Sequence, residues 1–321
     1  MASGAPRLRQ TGGMGGVLVG FAIIAAIIVA GYVVGRAGIL GEHAPFVLSR
    51  IAFYVLSPAL LFTVLADADV HVLFSSLLPV SLIAALATGL VFALVARLVW
   101  KRPVSETVIG VLASGYVNAN NIGLPVMLYV LGDPSLSAPI ILLQLVVFAP
   151  IALTILDIQD RGVVSVRRIL LQPITNPILI ASLLGLVVSV FELQVPEPVM
   201  EPFRLVGAAT VPIVLIAFGM SLHGRRPLAP GTARRDVLLA SSLKLVLMPV
   251  IAWLVGDFVF GLSGQALFAV VVLAALPAAQ NVFNYAQRYE RGVILARDVV
   301  LITTVLSIPV LVVVAALLAP A

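Results

Sequence analysis

Apolar residues in this chain fall into long blocks, parted by short stretches that carry charge, proline or glycine. Residues 10–35, 72–96, 107–132, 134–156, 169–191 and 258–287 hold no Asp, Glu, Lys or Arg. As helices, each is long enough to cross the roughly 30 Å of hydrocarbon in a bilayer. The pattern predicts ten helical spans, at 16–35, 45–66, 72–97, 105–131, 137–158, 169–191, 202–222, 237–259, 266–287 and 297–318. The second and eighth are the least clean, with Arg50 near one end of the second and Lys244 inside the eighth.

Composition excludes the water-soluble classes. The 321 residues are 61% hydrophobic and 10% charged, against about 25% charged in a soluble domain. No water-exposed fold hides that much apolar surface, so the chain reads as a polytopic membrane protein and not a soluble enzyme. It has no cysteine, hence no disulfide framework and no thiolate metal site. The polar start with Arg7 and Arg9 resembles a signal leader, but the run Val17–Val34 is too long for a signal core and is assigned to span 1.

Charge placement gives orientation. The net +5 does not predict a nucleic-acid partner, because the basic residues sit in inter-span loops. Loops after odd-numbered spans carry Arg36; Arg97, Lys101 and Arg102; Arg161, Arg167 and Arg168; Arg225, Arg226, Arg234 and Arg235; and Arg288, Arg291 and Arg297. That is fourteen Lys or Arg, against Arg7, Arg9 and Arg204 on the other face. Positive loops stay cytoplasmic, which predicts an inner (plasma) membrane protein, multi-pass, with both termini extracytoplasmic.

Prolines recur at matching places in two halves. Pro58 pairs with Pro212 at an offset of 154, Pro125 with Pro277 at 152, and Pro150 with Pro309 at 159. Halves of five spans (16–158 and 169–318) have opposite topology, so the expected architecture is a 5+5 inverted repeat, a mark of secondary transporters. Span 4 holds Asn118, Asn120, Asn121, Gly123 and Pro125 in mid-segment; span 9 holds Pro277, Gln280, Asn281 and Asn284. Proline removes a backbone donor, and polar breaks at that depth are tolerated only against protein or a wet cavity. Two such breaks are expected to cross near the midplane, where half-helix N-termini suit an anion. The plainer reading, asparagines as interhelical glue and prolines as kinks, covers any one residue better than it covers the set.

The stretch from Asn118 to Gly123-Leu124-Pro125 resembles the fourth-helix motif of the auxin efflux carrier family, which includes plant PIN-FORMED carriers and bacterial malonate- or malate-type permeases. Ser57-Pro58-Ala59-Leu60-Leu61-Phe62, Asn176-Pro177 followed by Gly185, and Leu276-Pro277 through Asn281 to Tyr289 agree with it. The resemblance implies an all-α bile acid/arsenite/riboflavin transporter fold, related to that of sodium–proton antiporters, with helices 4 and 9 crossed. Spans 3–5 and 8–10 would form a moving transport domain, and spans 1, 2, 6 and 7 a scaffold, through which a homodimer could form. It further implies that Asn118 contacts a substrate carboxylate, that Asn176 faces the same cavity, and that Pro125 and Pro277 mark the crossing; Gln144 is a weaker match. Asn120 and Asn121 depart from the small or apolar residues expected there, which points to a ligand more polar than auxin. The long cytoplasmic loop of many plant carriers is replaced by the short basic linker 159–168.

The expected function is therefore elevator-type transport of a small organic anion, secondary active or facilitative. The alternatives are a receptor for such an anion without flux, or a sodium/bile-acid-like symporter. No cofactor is expected; the coupling ion, H⁺ or Na⁺, is open. Asp67, Asp69, Asp133, Asp157 and Asp257 fall at predicted span ends, which argues against sodium–proton exchange. Lys244, the one deep ionisable residue, is expected to snorkel to the cytoplasmic surface on its long stem; the alternative is that it supplies positive potential for an anion. His43, His71 and His223 lie in loops without metal-ligand spacing, and Ser114-Gly115 has no histidine within a span to act as its base.

Overall fold

The computed structural model describes residues 14–41, 43–68, 76–161, 175–222, 228 and 233–320. Asp69, His71, Arg167, Arg168, His223, Arg225, Arg226 and the stretch holding Arg7 and Arg9 lie outside the described residues.

Among the described residues the fold is helical. In chain order the elements are α1 (Met14–Ala37), α2 (Ala44–Ala66), α3 (Leu77–Val99), α4 (Val104–Gly115), α5 (Ala119–Leu131), α6 (Pro134–Gln159), α7 (Pro177–Val190), α8 (Glu197–Ser221), α9 (Arg234–Val259), α10 (Gly264–Ala275), α11 (Gln280–Tyr289) and α12 (Val293–Leu318). Seven of these are long and apolar enough to cross a membrane; α4, α5, α7 and α10 are shorter apolar helices. Predicted spans 4 and 9 are each two helices, α4–α5 and α10–α11. Helix α8 begins at Glu197, earlier than the predicted 202. A proline in the first turn pre-sets φ, and an acidic side chain there suits the positive end of the helix dipole.

Large apolar side chains face outward along most helices, among them Leu86, Leu90, Leu98, Leu205, Phe258 and Leu317. In water such a surface would drive aggregation; against lipid tails it is the stable arrangement. Without water to expel, the helices are held by close packing, and glycine sets the distance. α1 packs on the second half of α8, where a Cβ at Gly31 would lie 2.3 Å from the Ile216 carbonyl oxygen and one at Gly219 2.0 Å from that of Ile28. Helix α2 packs on α7 and on the first half of α8. α3 packs on α4, and α9 on α10.

Prolines shape the helices in a repeated way. In α2, α5, α6 and α9 a five-residue π-helical segment ends two residues before Pro58, Pro125, Pro150 and Pro249. Widening the turn accommodates the ring and the carbonyl that loses its donor.

On the face that carries the Arg-rich loops, Arg102 makes two hydrogen bonds to Asp236, at 3.1 and 2.6 Å. The hydrogen bond to Asp236 is the main cause that raises the Arg102 pKa above its ordinary value. The carboxylate of Asp298, fully buried at the start of α12, accepts from the Leu228 amide and from Arg297. On the opposite face Arg204 pairs with Glu197 and Asp67. All three groups of that second network are exposed, and such pairs contribute little.

Candidate functional site

The two helix breaks meet. Helix α4 stops at Gly115 and α10 at Ala275, and the chain between each and its successor is extended. These segments pair as a one-residue antiparallel bridge, Val117 opposite Ala278. The Asn118 amide donates to the Pro277 carbonyl at 2.9 Å, and the Ala279 amide donates to the Tyr116 carbonyl at 3.1 Å. The two amides on the outer sides of the bridge go to side chains: Val117 N–H to Gln144 Oε1 on α6, and Ala278 N–H to Thr303 Oγ1 on α12, at 3.1 Å. A strand-like contact inside hydrocarbon is stable only because its backbone polar groups find partners.

A cavity of about 800 Å³ lies against this pairing. It runs from the crossover to the ends of α1 and α2 on the Arg-rich face, where Gly38, Gly41 and Arg50 line it. Five predicted residues come together on its wall: Asn118, Asn120, Asn121, Gln144 and Asn281. The Asn118 carbonyl oxygen caps α5 by accepting from the Asn121 amide at 3.2 Å, which leaves its Nδ2 as the group it offers to the cavity. Asn120 donates to Ser57 Oγ at 3.1 Å and to Asn121 Oδ1 at 2.9 Å, so this pair is tied mainly to its neighbours. The N-terminus of α11, at Gln280 and Asn281, also faces the cavity and has no side-chain cap. Unpaired amides at a helix start form a positive end that attracts anions.

Asn176 sits apart. Its Oδ1 caps α7, accepting from Ile178 and Leu179 at 3.0 and 3.3 Å, and it lines a smaller neighbouring cavity of about 190 Å³. Asn281 and Asn284 border both cavities. Pro277 lies within the paired segment, whereas Pro125 is buried in α5, seven residues beyond Asn118. The bridge matches Val117 with Ala278, an offset of 161, against 152 for the two prolines. Gly123 does not line the cavity; a Cβ there would lie 3.0 Å from Leu276 Cδ1 and 3.3 Å from Ser137 Oγ, so its smallness admits the paired segment.

Sequence reasoning missed several lining groups. Tyr116 and Tyr285 stack edge to face, with centroids 6.5 Å apart. Gln287 and Thr304, together with Asn284 of the span 9 break, complete the polar wall. The spacing of Gln280, Asn284 and Gln287 puts them on one face of α11, a helical period that was readable in the sequence. Arg50 stands at the mouth, its guanidinium 5.5 and 5.3 Å from the Phe46 and Tyr54 ring centres.

Lys244 does not snorkel. It is fully buried, and its Nζ donates to the Ala274 carbonyl at 2.6 Å, with Met248 Sδ at 3.3 Å. It stands ten residues into α9, about 15 Å along the axis, farther than its stem can reach.

The family model described as "Membrane transport protein" matches residues 17–315. An uncharacterized transporter of Methanocaldococcus jannaschii is 23% identical over 296 residues, covering 89% of this chain and 94% of its own. An uncharacterized transporter of Methanothermobacter thermautotrophicus is 27% identical over 291 residues, 89% of this chain and 93% of its own. A Rhizobium meliloti protein named "Putative malonate transporter" is 29% identical over 133 residues, 41% of each chain.

Proposed function

Because the chain belongs to the membrane transport protein family, that of the auxin efflux carriers, we propose that it is a secondary carrier for a small organic anion, working by elevator-type alternating access. The observation that carries this reading is the convergence on one cavity of the Asn118 amide and the uncapped α11 N-terminus. Both offer N–H donors, and together they suit a carboxylate without a formal charge in contact with it.

Ten membrane-crossing segments follow if α4–α5 and α10–α11 each count as one crossing. Gln144 and Thr303 hold equivalent amides at an offset of 159, the same as Pro150 and Pro309, which supports a 5+5 inverted repeat. In this reading α3–α6 and α9–α12 move as a unit against α1, α2, α7 and α8. With the Arg-rich loops cytoplasmic, the cavity opens inward, and the conformation is the one that exchanges substrate with the cytoplasm. The relative named for malonate directs the first substrate trials to short dicarboxylates.

The test is flux in proteoliposomes with purified protein and labelled mono- and dicarboxylates. Saturable uptake or efflux is expected, with at least a tenfold loss in Asn118→Ala, about 1.4 kcal/mol of lost stabilisation. Saturable ligand binding without any flux would favour the receptor reading, and unchanged flux in a folded Asn118→Ala would sink the role given to this residue.

A further inference from the structure

Helix α10 ends at Ala275, and the Ala274 carbonyl, in an unbroken helix, would accept from the amide of residue 278. Here Ala278 N–H is committed to Thr303 Oγ1 on α12, and Pro277 has no N–H to offer. The donor that reaches Ala274 is the ammonium of Lys244, at 2.6 Å. A cation at a helix C-terminus also meets the negative end of its dipole. Carbonyls at the ends of broken helices are the groups with which many carriers hold a coupling Na⁺.

The surroundings supply no anion to balance this ammonium. Its segment of α9 packs on α3, α4, α10 and α12. The charged residues on those helices are Arg97 on α3, Glu106 on α4, and Arg297 and Asp298 on α12; α10 has none. On α9 itself Asp236 lies two turns away and pairs with Arg102. Among the described residues no carboxylate stands within salt-bridge distance of Lys244.

We propose that Lys244 is the carrier's own fixed cation, occupying at the end of α10 the position a coupling Na⁺ would otherwise fill, so that anion binding and flux need no sodium. The inference takes its consequence for flux from the carrier reading above. Lys244 contributes the positive charge near the crossover, and the substrate anion completes the balance when it enters the cavity. Because Lys244 does not line that cavity, it is a positioning residue: it holds the broken helix end and sets the local potential.

The experiment uses full-length protein purified in detergent and in proteoliposomes, with NaCl compared against choline chloride at equal ionic strength. For the wild type, thermal midpoint and anion flux are expected to be the same in both salts. Lys244→Ser leaves the carbonyl and opens space, and its midpoint is expected to rise by about 3 °C in Na⁺ but not in choline. Lys244→Met is expected to lose at least tenfold in flux, with Lys244→Arg retaining part. A sodium-dependent rise in wild-type midpoint or flux would overturn the proposal without recourse to any variant. So would a Lys244→Ser midpoint that ignores sodium, or a Lys244→Met that transports like wild type. If the wild type moves no anion at all, the carrier reading fails, while the midpoint comparison still decides whether this position holds a cation.

Discussion

The two helix breaks share a backbone plan and differ in electrostatics. At the first, α4 ends on Gly115 packed against α3, and α5 opens with an internal cap, the Asn118 carbonyl oxygen on the Asn121 amide. At the second, α10 ends on the ammonium of Lys244, and α11 opens with no side-chain cap. The first break is thus largely satisfied by its own neutral groups. The second presents unpaired amides to the cavity and has its negative end neutralised by a cation. Both effects raise the positive potential on the α11 side. On the carrier reading proposed above, this one-sided charge would orient an asymmetric ligand with its anionic group toward α11, where Asn118 adds a neutral donor.

The largest test of this contrast compares the two side chains that hold equivalent amides. Gln144→Leu leaves Val117 N–H buried without an acceptor, and Thr303→Val, nearly equal in shape to the native residue, does the same to Ala278 N–H. Each is expected to cost about 1–3 kcal/mol of stability, read as lowered thermal midpoints in detergent. Flux should separate them: Gln144 lines the cavity and Thr303 does not. At least a tenfold loss is expected for Gln144→Leu beyond what its stability explains, and a smaller one for Thr303→Val. Equal flux losses would mean that both side chains act only by holding the crossover together.

How much of this was legible beforehand differs by kind of interaction. Charge-free runs such as 107–132 and 258–287 located the membrane segments, because exclusion of charge from hydrocarbon is a property of each residue by itself. Asn118 and Pro277 flagged the breaks for the same reason. The register of the pairing was not legible: a bond from Asn118 N–H to the Pro277 carbonyl engages main chain, which every residue carries. The proline offset of 152 therefore pointed near the crossover but missed the 161 of the bridge. Lys244 was misread because snorkelling presumes water within reach of the stem, and the orphan carbonyl at the end of α10 was closer. Asn176 carries a motif, yet its Oδ1 caps α7 and the residue lines the smaller neighbouring cavity, a division that the motif alone does not show.

A second comparison concerns the residues at which the inbound helices end. A Cβ at Gly115 would stand 2.9 Å from the Ala85 carbonyl oxygen, whereas Ala275 carries its Cβ fully buried at the equivalent end of α10. Gly115→Ala is expected to destabilise by about 1–3 kcal/mol, since a backbone atom cannot yield as a flexible side chain would. Ala275→Gly removes contacts and adds backbone freedom, for about 0.5–1 kcal/mol. Unfolding of the two purified variants ranks them. The reverse order would show that α3 gives way at Ala85 and that the first break is the looser of the two.

The smallest effect is expected at Asn120, and it bears on how far the first break is specialised for binding. The Asn120 amide nitrogen is engaged by Ser57 and Asn121, while its Oδ1 is buried without a partner among the described residues. Truncation to alanine removes two hydrogen bonds, each worth about 0.5–1.5 kcal/mol net, and relieves one unsatisfied acceptor that costs about 1–3 kcal/mol. These terms nearly cancel, so Asn120→Ala is expected to change stability by less than about 1 kcal/mol. Its flux should fall far less than that of Asn118→Ala, because its donor is spent on α2 and not on the cavity. If instead Asn120→Ala matches Asn118→Ala in lost flux at unchanged stability, the Ser57 bond is given up when substrate binds. The first break would then supply two amides to the ligand, and the electrostatic weight assigned to α11 would have to be shared.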